Sequence, residues 1–424
     1  MKLLLELYYG YLMRDPQRQN RYGSSFTVSF PDFPGFTQLP YSLTLTQKMG
    51  SHDVLEMHYT SLNVNYVKAL STGVAVTVTW SNDMTSGTFI GYVSDLEYPT
   101  SSSIEKPLKI TCLAASYPLK ENRQKIWKNA TASEVVTDIA KFNKLKPVVT
   151  KSDIRFPQIS FSGQSQWQKV QELARSIGYA CQVVGVELHF HPVDVMLQKS
   201  LTTIPVMAFL ERDIPSTAQP MSQTLDHFES TQGDFGNFRG NSKSTKIVGG
   251  VDPLTGKVYR ATSSPASVGK NMRAKNRAPL FSDVDTTIVV IDKLSAQSLS
   301  DAKAKLAKLS IPGYGFGQGD PRIAPWRTIQ IEGSAAGSNG FWVTSKAVHT
   351  IVTDGKYTIE FECVTDGTGD NTNSIIPGAP TVDLNEALTT GANRPTRYKL
   401  SNSEPMTNES VTGYNVVPRR WVAV

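Results

Sequence analysis

The sequence predicts a mainly β protein, built from two small antiparallel β-barrels with an α/β domain inserted between them. Between about residues 5 and 115, short segments rich in β-branched and aromatic residues alternate with clusters of Pro, Gly, Asn, Asp and Ser. Two segments with helical periodicity follow, and strand-like segments resume after about residue 200. Regularly spaced short strands without a long helical pattern are typical of a small barrel or sandwich.

The predicted organisation has four parts. A first barrel covers 1–115, and the inserted α/β domain covers 116–200. The second barrel covers 201–365, and an extended C-terminal tail covers 366–424. The tail is rich in Thr, Asn, Gly and Pro and shows no clear apolar period, so we expect it to become ordered only against a partner.

Composition and charge exclude several classes. At 424 residues with a net charge of +6, the chain is long enough for two to four domains, and its charge is too mild to indicate general nucleic-acid binding. Cys112, Cys181 and Cys363 are far apart. This spacing argues against a disulfide framework or a zinc ribbon and suits assembly in a reducing cytoplasm.

No targeting or membrane segment is expected. The N-terminal stretch "MKLLLELYYGYLM" is apolar, but Glu6 interrupts it and no small-residue cleavage site follows. Because no later run approaches 18 apolar residues, the sequence predicts no transmembrane helix.

A first helix is predicted within residues 129–143. Thr131 and Glu134 have the spacing of a capping box, in which each side chain bonds the backbone N–H of the other residue. Val135, Ile139 and Phe142 then form an apolar stripe at helical spacing.

A second helix is predicted within residues 162–178. Ser165 is the expected N-cap, and Gly178 can end the helix in a left-handed conformation. Helical spacing places four residues on the inner side: Trp167, Val170, Leu173 and Ala174. We predict a folding role for Trp167, with a cost of ~3–5 kcal/mol on truncation to Ala.

The stretch "GVELHFHPV" that follows is predicted to be a strand of a hairpin, with Leu188 and Phe190 on its core face. Glu187, His189 and His191 then share the opposite face. A carboxylate and two imidazoles are possible zinc ligands, but a further element would have to close the site. We therefore interpret the three as the water-facing side of the hairpin and predict no metal there.

Nine basic residues lie between positions 239 and 277, with Asp252 as the single acid, and a helix is predicted at 295–310. The basic residues are Arg239, Lys243, Lys246, Lys257, Arg260, Lys270, Arg273, Lys275 and Arg277. They fit either a solvated, mobile loop on a barrel or a contact with an acidic neighbouring subunit or passing DNA. Of the two contacts we favour the protein, because a tight cationic grip would oppose sliding DNA.

No pattern for catalysis or cofactor binding is present. The sequence contains no G-x-S-x-G elbow and no convincing Cys–His pair, and "GYGFGQGD" at 313–320 lacks the Lys-Ser/Thr of a P-loop. We interpret 313–320 as a flexible loop, and His349 as the partner of a strand hydrogen bond near a barrel end. The chain is predicted to be no enzyme and to carry no cofactor.

Several segments, in their order along the chain, resemble the tail hub proteins of bacteriophages. These segments are "GTFIGYVSDLEY", "NATASEVVTDIA", "SGQSQWQKVQELARSIGYACQVVGVELHF" and "GFWVTSKAVHTI". The group includes the late control protein D family and the N-terminal hub module of type VI secretion spike proteins. The resemblance rests on the order and spacing of these segments, and the matching positions include Gly91, Thr131, Glu134, Ser165, Trp167, Leu173, Gly178, Leu188, Phe190 and Trp342.

The resemblance implies a homotrimer whose two barrels per chain form a ring with pseudo-sixfold symmetry. Such a hub joins the hexameric tail tube to a threefold spike or fibre protein. Its channel admits a tape-measure protein and, in transit, the DNA. The resemblance also implies a place in the virion at the tail tip or baseplate, assembly in the host cytoplasm and no stable membrane insertion. The alternative is a hub-associated cell-wall-degrading enzyme, or a metal-dependent hydrolase built on the strand at 187–191.

Overall fold

A computed structural model describes most of the chain outside its termini. The described residues are 24–60, 70–82, 85–97, 108–161, 163–198, 204–208, 222–230, 245–251, 255–263, 282–286, 292–309, 311–332, 340–365, 398–405 and 419–423. The chain divides into two compact units, 1–377 and 378–424. None of the described helices is long and apolar enough to cross a membrane.

The first half of the larger unit is an antiparallel sheet of six strands. They are β1 (Ser24–Ser29), β2 (Ser42–Lys48), β3 (Val54–Tyr59), β4 (Ala75–Asn82), β5 (Ser86–Glu97) and β6 (Leu108–Ala114). Buried and more exposed residues alternate along β2, β3 and β4, because successive side chains of a strand point to opposite faces. The buried faces enclose one apolar core around Leu43, Met57 and Ile110.

A helix–hairpin unit, defined here as residues 117–198, begins with a short 3-10 turn at Tyr117–Lys120. Its elements are β7 (Ile126–Thr131), α1 (Ala132–Phe142), β8 (Lys146–Val149), β9 (Arg155–Ser160), α2 (Gln166–Ile177), β10 (Tyr179–Val184), β11 (Glu187–Pro192) and α3 (Val193–Gln198). β11 lies between β10 and β8, and β7 pairs with β9. Leu188 and Phe190 pack in the same core as the apolar faces of α1 and α2.

The second half forms a closed barrel and carries an insertion. Its elements in chain order are β12 (Val206–Ala208), β13 (Ser222–Ser230), the inserted β14 (Thr245–Val251), β15 (Val258–Ser263), β16 (Ser282–Asp285) and α4 (Lys293–Lys308), then β17 (Ile311–Gln318), β18 (Thr328–Glu332), β19 (Gly340–Val352) and β20 (Tyr357–Thr365). The barrel order is β19-β18-β12-β13-β17-β20, and the β19–β20 pair closes it. The closed barrel confirms the predicted mainly β fold, although β12 runs parallel to both of its neighbours.

The two halves repeat one topology. If the strands of each half are numbered in chain order, leaving out the inserted β14, β15 and β16, both halves show the strand order 1-4-5-6-3-2. The fifth strand of each half is irregular at one position, directly after Val93 in β5 and directly after Thr344 in β19. In both cases the residue before the irregularity pairs with a buried cysteine, Cys112 or Cys363.

The halves are joined because β19 belongs to both. The first part of β19 pairs with β18, and its second part, from Lys346 to Val352, pairs antiparallel with β2. A sheet of twelve strands therefore runs through the larger unit.

The segment 313–320, interpreted from sequence as a flexible loop, is largely strand β17, so that prediction was wrong. Its glycines take core-facing positions. A side chain on Gly315 would overlap the Phe361 ring, and one on Gly313 would approach Trp342 to 2.9 Å. The glycines are present because aromatic rings from other strands fill this part of the core.

The insertion is a three-stranded sheet, ordered β15-β14-β16, with α4 packed against it. The helix predicted at 295–310 is observed at Lys293–Lys308. In the smaller unit, β21 (Tyr398–Pro405) pairs antiparallel with β22 (Arg419–Ala423).

Candidate functional site

The helices of the helix–hairpin unit begin as their sequences predict. In α1, Thr131 and Glu134 form the predicted capping box, with bonds of 2.9 and 3.2 Å between side chains and backbone N–H groups. Ser165 caps α2 and forms a second box with Gln168. Both boxes satisfy N–H groups that a helix start otherwise leaves unpaired. They fix the helices over the hairpin.

Gly178 ends α2 in a left-handed conformation with φ +71°. It also permits a close helix contact, because a side chain there would overlap Ala302 of α4. The predicted C-cap is therefore confirmed, and the same residue lets the helix–hairpin unit contact the insertion. In the predicted stripe of α1, Val135 and Ile139 are buried, but Phe142 is 59% exposed with the Arg123 guanidinium 3.7 Å above its ring.

The turn between β2 and β3 enters the helix–hairpin unit at Gly50. The Gly50 carbonyl accepts a hydrogen bond from Trp167 Nε1 at 3.3 Å and another from the Gln171 amide. The Gly50 N–H donates to Gln182 Oε1 at 3.0 Å. Trp167 is buried in the core of its own unit, as predicted, but it also bonds the first half of the sheet, which the sequence did not reveal.

Two titratable groups lie in the same turn, His52 partly buried and Asp53 buried. His52 Nδ1 lies 2.7 Å from Ser116 Oγ, and its ring lies 5.3 Å from that of Trp167. Burial, aided by the charge of Lys120, lowers the pKa of His52 to about 4. Burial raises the pKa of Asp53 to about 7, against a hydrogen bond from Gln47 that lowers it. At neutral pH the His52 ring is therefore uncharged where it meets Ser116.

Glu187, His189 and His191 share one face of β11, as the alternation predicts. Lys146 donates to Glu187 at 2.7 Å, and His189 Nε2 lies 3.4 Å from the other oxygen of that carboxylate. The Lys146 hydrogen bond is the main cause that holds the pKa of Glu187 below its usual value. His191 Nδ1 lies 2.7 Å from Thr150 Oγ1. In the described part of the chain, no group of three His, Cys, Asp or Glu side chains is arranged to hold a metal ion.

The prediction that this face meets water was wrong at the C-terminal end of β11, where His191 lies. His191 is 1% exposed, and its cross-strand neighbour Ala180 packs in one cluster with Phe341 and Val343 of β19. The end of the polar face near His191 thus lies where the helix–hairpin unit packs against β19 of the barrel.

The joint between β2 and β19 contains a buried polar network. His349 Nδ1 lies 2.8 Å from the Tyr357 hydroxyl, which accepts a hydrogen bond from Trp80 Nε1 at 3.1 Å. Burial lowers the pKa of His349 to about 4, although the nearby charge of Asp320 acts in the opposite direction. The predicted strand hydrogen bond is instead a side-chain bond that links β4, β19 and β20.

Asp320, two residues after the end of β17, is buried and bound on two sides. It accepts hydrogen bonds from its neighbour Arg322 at 2.6 and 3.0 Å, and Thr85 Oγ1 lies 3.5 Å from one of its oxygens. In addition, Asn82 donates to the Gly319 carbonyl at 3.2 Å. These bonds tie the β4–β5 turn of the first half to the barrel of the second.

Asp138 of α1 organises a polar cluster within the helix–hairpin unit, which the sequence did not reveal. Its carboxylate accepts hydrogen bonds from Lys125 at 2.7 Å and Trp127 Nε1 at 3.2 Å, and Arg123 lies at 3.5 Å. Burial alone would raise the pKa of Asp138, but the cations outweigh it and the pKa is lowered. The carboxylate thus anchors strand β7 to helix α1.

The basic run at 239–277 is only partly within the described residues. Arg239, Lys243, Lys270, Arg273, Lys275 and Arg277 lie outside them. Lys257 and Arg260 are exposed, whereas Lys246 is buried in β14, where its carbonyl accepts from Ser300 at 2.9 Å. The described part of the run is thus sheet covered by a helix, which differs from the predicted mobile loop.

Solved structures of tail proteins share this fold. The prophage MuSo2 43 kDa tail protein from Shewanella oneidensis superposes with a TM-score of 0.56 at 12% identity, over 82% of this chain and 99% of that one. The tail protein from Neisseria meningitidis MC58 gives 0.56 and 12%, over 82% and 98%. An E. coli component of the type VI secretion system gives 0.51 and 9%, over 85% and 81%.

Neither a family model nor a curated protein matches the sequence. At identities this low, the likeness to solved structures shows the fold alone, which this chain shares with phage tail proteins and a type VI secretion component. The predicted fold resemblance is thereby confirmed.

Proposed function

We propose that the chain is a non-enzymatic structural hub of a phage-type tail, placed at the tail tip or baseplate and working as a homotrimer. One observation carries the proposal: two halves with the same strand order share the strand β19 within one chain. The fold likeness to two tail proteins over nearly their full length supports it.

The mechanism is symmetry adaptation. Three copies of a chain with two similar halves supply six similar sheet units, which match a hexameric tail tube. The helix–hairpin units, the insertions and the segment 366–424 occur only three times in such a ring, and they match a threefold spike or fibre protein. A cyclic trimer needs an interface between two different surfaces of the chain, which closes after three copies.

The ring would surround a channel for a tape-measure protein and for DNA in transit. The proposed place is the virion, after assembly in the bacterial host cytoplasm. No residue is assigned a catalytic role. The groups that sequence reasoning considered for a metal hydrolase, Glu187 and the two histidines of β11, take part in contacts within the helix–hairpin unit and its approach to the barrel.

The test is the mass of the purified full chain in solution, alone and together with its tail-tube protein. Light scattering across a concentration series should give three chains per particle, with tube rings bound to one face of the ring. A particle that stays monomeric alone and with tube rings would overturn the proposal. A zinc titration by calorimetry adds a separate check, because stoichiometric binding that His189→Ala abolishes would favour the hydrolase.

A further inference from the structure

We propose that an acidic surface of one copy of the chain binds a basic surface of the next copy. The acidic face is the outer side of β13, β17 and β20 on the second-half barrel. The basic end is the end of the helix–hairpin unit at which α1 stops and the β10–β11 hairpin turns. This inference rests on the proposed trimer and names the surfaces that hold its copies together.

The acidic face places carboxylates around two aromatic rings. On β17 the glycines face the core, so the residues between them, Tyr314 and Phe316, point outward. Three glutamates flank these rings on the neighbouring strands, and they are exposed, as is Tyr314. Strand pairing arranges the outward residues in two rows: Glu229, Tyr314 and Glu362 in one, and His227, Phe316 and Glu360 in the other.

The negative charge of the acidic face is only partly balanced. Glu362 accepts a hydrogen bond from Lys346 at 3.1 Å, and the His227 ring lies 3.8 Å from Glu229. Among the described residues, no Lys or Arg forms an ion pair with Glu229 or Glu360. Burial, together with the charges of Glu360 and Glu229, raises the pKa of Tyr314. The face therefore fits a partner that brings cations together with apolar groups.

The basic end has exposed apolar side chains at its centre. Phe142 is 59% exposed, and Val184 and Val186, on either side of the hairpin turn, are 48% and 43% exposed. The Lys146 N–H donates to the Val186 carbonyl at 2.9 Å. This bond brings the hairpin turn beside the end of α1, because only three residues separate Phe142 from Lys146. Neighbouring apolar side chains exposed in this way mark interaction sites.

Cations surround this apolar centre. Lys141 and Lys144 are exposed, and neither forms an ion pair with another described residue. Lys146 pairs with Glu187 at 2.7 Å but keeps 70% of its side chain exposed, and the Arg123 guanidinium lies over the Phe142 ring. The basic end thus offers the charge and the apolar groups that the acidic face lacks.

The position of the two surfaces favours a contact between copies. The helix–hairpin unit packs against Phe341 and Val343 of β19. In the closed strand order of the barrel, β13 stands three places from β19, on the far side. The acidic face therefore lies across the barrel from the unit that carries the basic end. A contact between two different surfaces is heterologous, and the same operation repeated can close a ring of three.

The test reverses the charge of each surface separately. One double variant is Lys141→Glu/Lys144→Glu, and the other is Glu229→Lys/Glu360→Lys. Each reversal places like charges face to face, so the dissociation constant of the trimer should rise by about a hundredfold. Light scattering of the full chain across a concentration series, alone and with tube rings, measures the change. Circular dichroism spectra should stay as in the unmodified chain, because all four positions are exposed.

Two further variants make the test specific. The fourfold variant carries both reversals, which restores opposite charges across the contact, so it should recover the trimer. Lys128→Glu/Lys151→Glu makes the same charge change at exposed positions beside the start of α1, at the opposite end of that helix. This control should keep the dissociation constant of the unmodified chain.

The outcomes separate this contact from the trimer itself. Loss of the trimer in both double variants, with recovery in the fourfold variant, supports the contact. If the unmodified chain is trimeric and the double variants match it, or the fourfold variant fails to recover, the contact is overturned and the trimeric hub stands. If the unmodified chain is monomeric at every concentration and with tube rings, both proposals fall.

Discussion

The two halves of the sheet share a strand order but fill their cores in different ways. In the first half, β3 carries its own apolar side chains inward, with Leu55, Met57 and Tyr59 all buried. The equivalent strand of the second half, β17, has glycines there, and the space is filled by Trp342 and Phe361 from β19 and β20. One topology is thus compatible with opposite distributions of side-chain volume.

This difference in core filling predicts which substitutions destabilise each half. A half whose third strand supplies the volume should be sensitive to truncation of that strand. A half whose third strand carries glycines beside aromatic rings should be destabilised by any larger side chain on that strand.

The largest effect is expected for Met57→Ala in β3. Met57 is fully buried, so the variant loses apolar contacts and leaves a cavity, which costs about 2–5 kcal/mol in free energy of unfolding. Urea denaturation measures the loss. Val258→Ala, at an exposed aliphatic, serves as the control and should change stability by no more than about 0.5 kcal/mol. A loss below about 1 kcal/mol at Met57 would mean that β3 does not supply the core volume assigned to it.

The joint between the halves should be sensitive to acid. The pKa of His349 is lowered from 6.5 to about 4 in the folded state, so the unfolded state takes up the proton first as the pH falls. Stability is lost between pH 6.5 and 4, by on the order of 3 kcal/mol. His349→Gln should remove this share of the pH dependence, while the share of His52 remains. Parallel stability–pH curves for both proteins would contradict the assignment.

Glycine substitutions compare the halves directly. A side chain at Gly315 of β17 would meet the buried Phe361 ring, whereas one at Gly91 of β5 would meet the backbone carbonyl of Leu113 as well as a ring. We expect Gly315→Ala to cost about 1–3 kcal/mol and Gly91→Ala to lie at the upper end of that range. Thermal denaturation checks the order.

Two controls sharpen that test. Phe361→Leu should recover part of the loss from Gly315→Ala, because it removes the ring that the new side chain meets. Gly35→Ala, where nothing lies within 4 Å of the added atom, should be near neutral. An equal cost at Gly35 and Gly315 would show that the ring contact is not the cause.

The smallest effect is expected outside both halves, at the helix caps. Thr131→Ala removes one side of a capping box and should cost about 1 kcal/mol. Ser165→Ala tests the second box and should cost a similar amount. Chemical denaturation of the two single variants and of the double variant should give nearly additive losses, because the caps lie at the starts of different helices.

Local chemistry explains how much the sequence could predict. The capping box at Thr131, the N-cap at Ser165 and the left-handed Gly178 were predicted because each depends on residues within one turn. Strand β17 was missed because its glycines have meaning only beside Trp342 and Phe361, which are distant along the chain. The alternation at 187–191 placed the three polar residues on one face, but it could not show that β19 lies on that face.

If two similar halves in each of three chains form one ring, electron microscopy of the purified full chain should show it. We expect class averages of a ring with six similar inner lobes and three outer projections, which superpose on themselves after a rotation of one third of a turn. Particles with two-fold symmetry, or single elongated chains at every concentration, would contradict it.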